Sequence, residues 1–225
     1  MVRLIVFALF LWGSMGCTKT ENTSSSQNSG SENSTSLEAP TPSQRKTLVF
    51  IGDSLTEGYG VPKDFSFPSL VQQKLESKGL SYEVVNSGVS GSTSASAPSR
   101  VKWALKSKPE YIVLALGAND GLRGLSTSQM KKNLSEAIEL AQAKKVKVLL
   151  LGMYMPPSLG SKYTKDFAKV FSEITKKYKV PLLPFLLEDV GGVQKYNQAD
   201  GIHPNEEGHQ KIAQNVFRFL EENLK

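Results

Sequence analysis

Short runs of aliphatic and β-branched residues alternate along this chain with longer segments in which apolar positions recur every third or fourth residue. The runs predict strands at Thr47–Ile51, Tyr82–Val85, Tyr111–Leu116, Val146–Leu151 and Pro181–Phe185. The longer segments predict helices around Ser66–Lys78, Ala97–Lys106, Ser126–Ala143, Tyr163–Tyr178 and Asn205–Asn223. Tyr111-Ile112-Val113-Leu114-Ala115-Leu116 is apolar without alternation, as a strand covered by helices on both faces should be. Regular strand and helix alternation predicts an α/β fold: a three-layer sandwich around a central parallel sheet of five strands. No internal repeat is visible.

Before Lys46 the pattern changes. Arg3 precedes the apolar stretch Leu4 to Trp12, and Gly13, Ser14 and Gly16 follow, so residues 1–16 read as a signal peptide with charged, apolar and small-residue regions. The apolar stretch is too short for a finished membrane span. Ser14-Met15-Gly16-Cys17 resembles the lipobox of bacterial lipoproteins, whose cysteine is lipidated, although Met15 and Ser14 depart from its usual small residue and leucine. The other reading of Cys17 is a stray thiol in a signal peptide cut elsewhere. Residues 17–45 are rich in Ser, Thr, Asn and Glu and nearly free of aliphatic side chains, the composition of a flexible tether. The folded domain is therefore expected at 46–225, on an exported, membrane-anchored bacterial lipoprotein. With one cysteine, no disulfide can form within a monomer.

Composition narrows the function. The chain has 225 residues, 39% hydrophobic and 21% charged, enough for one well-filled core and unlike a disordered protein. The net charge of +6 is spread through lysines of the predicted helices, without a dense basic block or interleaved aromatics. It reads as a solvated face, with attraction to an anionic membrane or substrate as the lesser reading, and nucleic acid is not an expected partner.

In parallel sheets, ligands bind outside the carboxyl ends of the strands, and the residues that stand out fall there. Gly52-Asp53-Ser54-Leu55 follows the first strand, Asn86-Ser87-Gly88-Val89-Ser90-Gly91 the second and Gly117-Ala118-Asn119-Asp120-Gly121 the third. Asp200-Gly201-Ile202-His203 precedes the last helix. A serine hydroxyl needs a positioned base to act as a nucleophile near neutral pH, and histidine is the usual one. The chain has two histidines. His203 has a carboxylate three residues before it, close enough to share one turn; His209 lies in a predicted helix, where a surface or partly buried role fits better. Ser54 also fits a helix N-cap, which is compatible with a nucleophile. Asp53 and Asp120 read as turn and loop-bracing residues.

Together these blocks resemble the GDSL or SGNH hydrolase family over about Lys46 to Lys225, in the branch of bacterial thioesterase I, lysophospholipase L1 and arylesterases. Gly117 to Gly124, Pro181 to Phe185 and Asp200 to Asn205 extend the likeness. The resemblance implies a flavodoxin-like SGNH hydrolase fold and a catalytic set of Ser54 as nucleophile, His203 as general base and Asp200 as its orienting carboxylate. It further implies an oxyanion hole made by the N–H groups of Ser54 and Gly91 and the side-chain amide of Asn119. Gly91 also reads as a plain turn glycine with Gly88 as its rival, and Asn119 as a loop brace.

The implied substrates are small esters with a hydrophobic acyl group: lysophospholipid, aryl or acyl esters, and acyl thioesters. An exported location favours esters over acyl-CoA. Leu122–Leu125 and the Met153–Tyr163 stretch are candidates for an acyl groove, or for ordinary core and rim. No metal-ligand cluster or nucleotide-binding motif occurs, so no metal or other cofactor is implied. The alternatives are a glycan O-acetylesterase and a non-catalytic surface-binding lipoprotein.

Overall fold

A computed structural model describes residues 45–224; the expected signal peptide, Cys17 and the expected tether up to residue 44 lie outside the described residues. Five strands form one sheet: β1 (Lys46–Gly52), β2 (Tyr82–Gly88), β3 (Tyr111–Ala115), β4 (Lys147–Leu151) and β5 (Leu182–Leu183). Every pairing is parallel and the order is β2-β1-β3-β4-β5. This is the flavodoxin-like arrangement, in which the chain reverses its direction of travel across the sheet between β1 and β3.

The helices are α1 (Ser54–Glu57), α2 (Phe67–Ser77), α3 (Ala97–Ala104), α4 (Ala118–Leu122), α5 (Thr127–Ala143), α6 (Ser161–Tyr178) and α7 (Glu206–Asn223). Right-handed crossovers put α2 on one face of the sheet and α3, α5 and α6 on the other. The packing agrees: α2 lies against α7, while α5 lies against α3 and α6. The core fills both interfaces. Leu48, Phe50 and Ile51 of β1, Ile112, Val113 and Leu114 of β3, and Leu150 of β4 are fully buried. Each such side chain contributes about 1.5–3 kcal/mol through burial.

Differences from the sequence reading have local causes. Strand β5 is two residues long because Pro181 and Pro184 flank it and neither carries an N–H for a ladder. Strand β2 runs three residues further than its aliphatic run, since β1 pairs with it through Gly52 opposite Gly88. Asn86 secures this extension, with its amide donating to the Thr56 carbonyl at 2.8 Å and its Oδ1 accepting from the Gly88 N–H at 2.9 Å. Helices α1 and α4 are too short to show a period, and both begin directly beyond the end of a central strand.

Candidate active site

Ser54 is the first residue of α1. The cap is Asp53, whose Oδ1 accepts from the Leu55 N–H at 3.0 Å, so the N-cap reading belongs one residue earlier than Ser54. Standing at the start of the helix, the Ser54 N–H has no earlier turn to bond to and is left for another acceptor.

His203 and Asp200 come from a tight loop. Asn197 bridges Pro204 in antiparallel fashion, Gln198 N–H donates to the His203 carbonyl at 2.8 Å, and Asn205 caps α7 by accepting from the Gly208 N–H at 3.0 Å. The Gln198 amide also donates to the Tyr59 carbonyl at 2.7 Å, which fastens this loop to the segment following Ser54.

The two loops meet. His203 Nε2 lies 2.9 Å from Ser54 Oγ, and His203 Nδ1 lies 2.7 Å from Asp200 Oδ2. Asp200 Oδ1 accepts the N–H groups of Ile202 and His203, each at 3.0 Å. The side-chain bond to His203, helped by those two backbone donors, holds the Asp200 carboxyl down at about 2. Asp200 therefore stays ionised at neutral pH. A negative acceptor at Nδ1 fixes the tautomer with its proton there, which leaves Nε2 with a lone pair facing the hydroxyl. The Tyr59 ring leans on the imidazole at 4.7 Å between centroids.

Gly91 and Asn119 face the same space. Both line, with Ser54 and His203, a cavity of about 600 Å³. The Asn119 amide donates one hydrogen to the Ser92 carbonyl at 3.1 Å, so it braces the loop and retains a second N–H. The structure separates the two glycines. A Cβ on Gly88 would strike the backbone of Glu57 at 2.1 Å, so Gly88 allows α1 to pack on β2. Gly91 sits at φ +75° in the loop at the cavity, where only glycine is unstrained. The remaining cavity wall is mostly apolar, with Leu122, Met153, Tyr154, Met155, Phe185 and Ile202 in it. These include members of both stretches marked as groove candidates.

Supports for the Ser90–Ser92 loop escaped the sequence reading. Glu57, on the helix of Ser54, accepts both the N–H of Ser90, at 2.7 Å, and its hydroxyl. Arg123, at the end of the helix bearing Asn119, donates to the Gly91 carbonyl at 3.1 Å. Asp120, which the sequence already marked as a loop brace, holds the next turn by accepting from the Ser94 hydroxyl at 2.5 Å and its N–H at 2.7 Å. Arg100 ties the carbonyls of Gly52 and Ser87 together beneath the site. For Glu57, Arg123 and Arg100 the only sequence signal was the position of charged residues near the motif blocks.

His209 is fully buried, where a surface or partly buried place was expected. Its Nδ1 accepts from the Phe67 N–H at 3.2 Å, and its ring stacks near that of Phe67. Burial pulls its pKa down to about 4, and burial pushes that of Asp53 up to about 6 against the pull of the Leu55 N–H. Between these values the folded chain holds the Asp53 proton that the unfolded chain has released, so stability from this group falls as pH rises. For His209 the unfolded imidazole takes a proton below its ordinary value near 6.5 while the folded one stays neutral, so stability falls as pH falls. Each effect is on the order of 3 kcal/mol at full extent, and the two oppose each other. Asp53→Asn is expected to melt higher than the parent at pH 7 and to lose that advantage steeply between about pH 6 and 4. Calorimetry across this range checks it; parallel curves for parent and variant would contradict it.

A parallel sheet of this order, with a hydroxyl, an imidazole and a carboxylate in line at its carboxyl edge, has the layout of a serine hydrolase. Residues 50–211 match the model of the GDSL-like lipase/acylhydrolase family. The chain is 40% identical over 176 residues to the esterase TesA of Pseudomonas aeruginosa, covering 78% of this chain and 88% of that one. It is 35% identical over 176 residues to thioesterase 1/protease 1/lysophospholipase L1 of Escherichia coli K12, covering 78% and 83%. A crystal structure of TesA superposes with a TM-score of 0.76 at 39% identity, covering 79% of this chain and 99% of the other. The chain belongs to the GDSL-like lipase/acylhydrolase family and is a hydrolase of the esterase class.

Proposed function

We propose that the protein hydrolyses carboxylic esters bearing hydrophobic acyl groups through an acyl-enzyme on Ser54, and that it works as an exported protein anchored by lipid on Cys17. The observation that carries the catalytic reading is the 2.9 Å approach of His203 Nε2 to Ser54 Oγ at an apolar cavity. In the first half-reaction Nε2 takes the hydroxyl proton as Oγ bonds to the carbonyl carbon, and the carbonyl oxygen becomes an oxyanion. That oxygen is met by the N–H groups of Ser54 and Gly91 and the second N–H of Asn119. Collapse of the adduct expels the alcohol, which receives the proton from His203. Water then repeats the sequence on the acyl-enzyme, releasing the acid and restoring Ser54. Asp200 keeps its charge throughout and stabilises the imidazolium. An acyl thioester would follow the same course with a thiol as leaving group.

A volume of about 600 Å³ falls within the size range of small-molecule sites, and its mostly apolar wall suits a hydrophobic acyl chain. With p-nitrophenyl esters from acetate to laurate, kcat/KM is expected to rise about fourfold for each methylene that stays in the cavity, before levelling off. A maximum at acetate would contradict the hydrophobic-acyl reading and favour the O-acetylesterase alternative.

Glu57 acts through the loop that it holds. Glu57→Ala is expected to lower kcat about tenfold with KM little changed, as loosening a donor should cost less than losing one. Glu57→Gln keeps an acceptor and should recover most of the loss. A change confined to KM would contradict this role. For the anchor, an alkyne fatty acid should label the parent and leave Cys17→Ser unlabelled; an unlabelled parent would return the chain to the plainly secreted class.

A further inference from the structure

The edge of the sheet opposite the cavity, where each helix turns back into the next strand, carries a concentration of lysine. Lys106, Lys108, Lys144, Lys145, Lys176 and Lys179 lie in three successive turns of this kind, before β3, β4 and β5. All six are exposed and form no ion pair among the described residues. Nearby charges are partly neutralised: Lys46 and Lys147 share Glu110 at 3.9 and 3.1 Å, and Lys177 reaches Glu139 at 3.7 Å. The three strands are neighbours in the sheet, and Lys145 and Lys179 line one depression of about 310 Å³.

Lysine at helix C-termini is favourable in itself, because a cation meets the negative end of the helix dipole. That does not account for its position within these turns. Lys108, Lys145 and Lys179 adopt left-handed backbone at φ 51°, 60° and 54°, a conformation that suits glycine and strains other residues. At the corresponding turn before β2 the chain does use glycine, Gly79 at φ 68°. Three turns therefore keep a charge where the backbone favours a residue without a side chain.

The chain enters the domain on the same edge, since Arg45 leads directly into the start of β1. On the reading that Cys17 carries lipid, the bilayer lies at the far end of a segment joined to the lysine-bearing edge. If residues 17–45 are the flexible tether that their composition implies, they would span roughly 30 Å, enough to let the edge reach the surface. We propose that this edge docks on an anionic phospholipid surface, which turns the cavity mouth away from the bilayer that holds the domain. The choice of partner rests on the lipid-anchor reading. It follows that substrate enters from the aqueous side, as dispersed ester or lysolipid, instead of sliding in from the anchoring leaflet.

The test uses the full chain carrying Cys17→Ser, so that no lipid contributes, with sedimentation on phosphatidylcholine vesicles and on vesicles also containing phosphatidylglycerol. Neutral vesicles report any binding by the apolar stretch Leu4 to Trp12; the excess on anionic vesicles reports charge. Each lysine near such a surface is worth about fivefold, so Lys108→Gly, Lys145→Gly and Lys179→Gly together should weaken that excess by at least tenfold and by up to about 100-fold. The triple variant should melt no lower than its parent, because glycine relieves the left-handed positions. Lys63→Gln with Lys195→Gln, on the cavity side, should bind as the parent does, and salt should weaken binding throughout. Equal binding by the triple variant, or no excess on anionic vesicles, would overturn the docking while leaving the esterase and lipidation readings intact. A parent that takes up no fatty acid at Cys17 would overturn the choice of a bilayer as partner.

Discussion

Ser54→Ala is expected to lower kcat for a p-nitrophenyl ester by about 10⁴-fold or more, with the thermal midpoint nearly unchanged. Ser54 Oγ sits at the cavity with His203 Nε2 as its hydrogen-bond partner, so its loss removes a nucleophile and little packing. His203→Ala should fall as far, since a hydroxyl without its base is a weak nucleophile at neutral pH. Ser54→Ala and His203→Ala together should be no worse than either alone, because the two side chains act as one unit. Near-additive losses would mean that the residues serve separate steps, and comparison of single and double variants under saturating substrate distinguishes the cases.

Asn119→Ala carries the next largest expectation, a fall in kcat of about 10²- to 10³-fold with a much smaller change in KM. Its amide has two hydrogens and the Ser92 carbonyl takes one, so in the proposed mechanism the other serves the carbonyl oxygen that becomes charged. A donor that tightens as charge develops stabilises the transition state more than bound substrate. If Asn119 merely held the Ser92 loop through its one donated hydrogen, Asn119→Ala would cost no more than the roughly tenfold expected of Glu57→Ala, which loosens the same loop. Steady-state kinetics of the two variants distinguishes the cases.

How much of this was legible in the sequence depended on how local each interaction is. Strands β1, β3 and β4 were legible because burial on both faces leaves only apolar side chains available, as in Tyr111–Ala115. The shortness of β5 follows from Pro181 and Pro184, which are visible in the sequence, while the apolar Leu182-Leu183 pair between them gives a strand signal of its own. The orientation of His203 by Asp200 was legible since both lie in one turn. The contact between Ser54 and His203 spans 149 positions and no spacing rule reaches that far; it was available only through the order of the blocks and their likeness to a family. Glu57 and Arg123 bond to residues 33 and 32 positions away, and nothing local marks them as supports for Ser90 and Gly91. The full burial of His209 was hidden for a similar reason, as it depends on α2 packing against α7.

The most direct measurement is covalent. A fluorophosphonate carries a tetrahedral phosphorus that reacts with an activated serine and holds its oxygen where the oxyanion would lie. Mass spectrometry of the labelled, digested protein should find one adduct, on the peptide containing Ser54, absent in Ser54→Ala and formed far more slowly in His203→Ala. An adduct on another residue, or labelling of Ser54 at an unchanged rate without His203, would contradict the union of these two loops into one reacting centre.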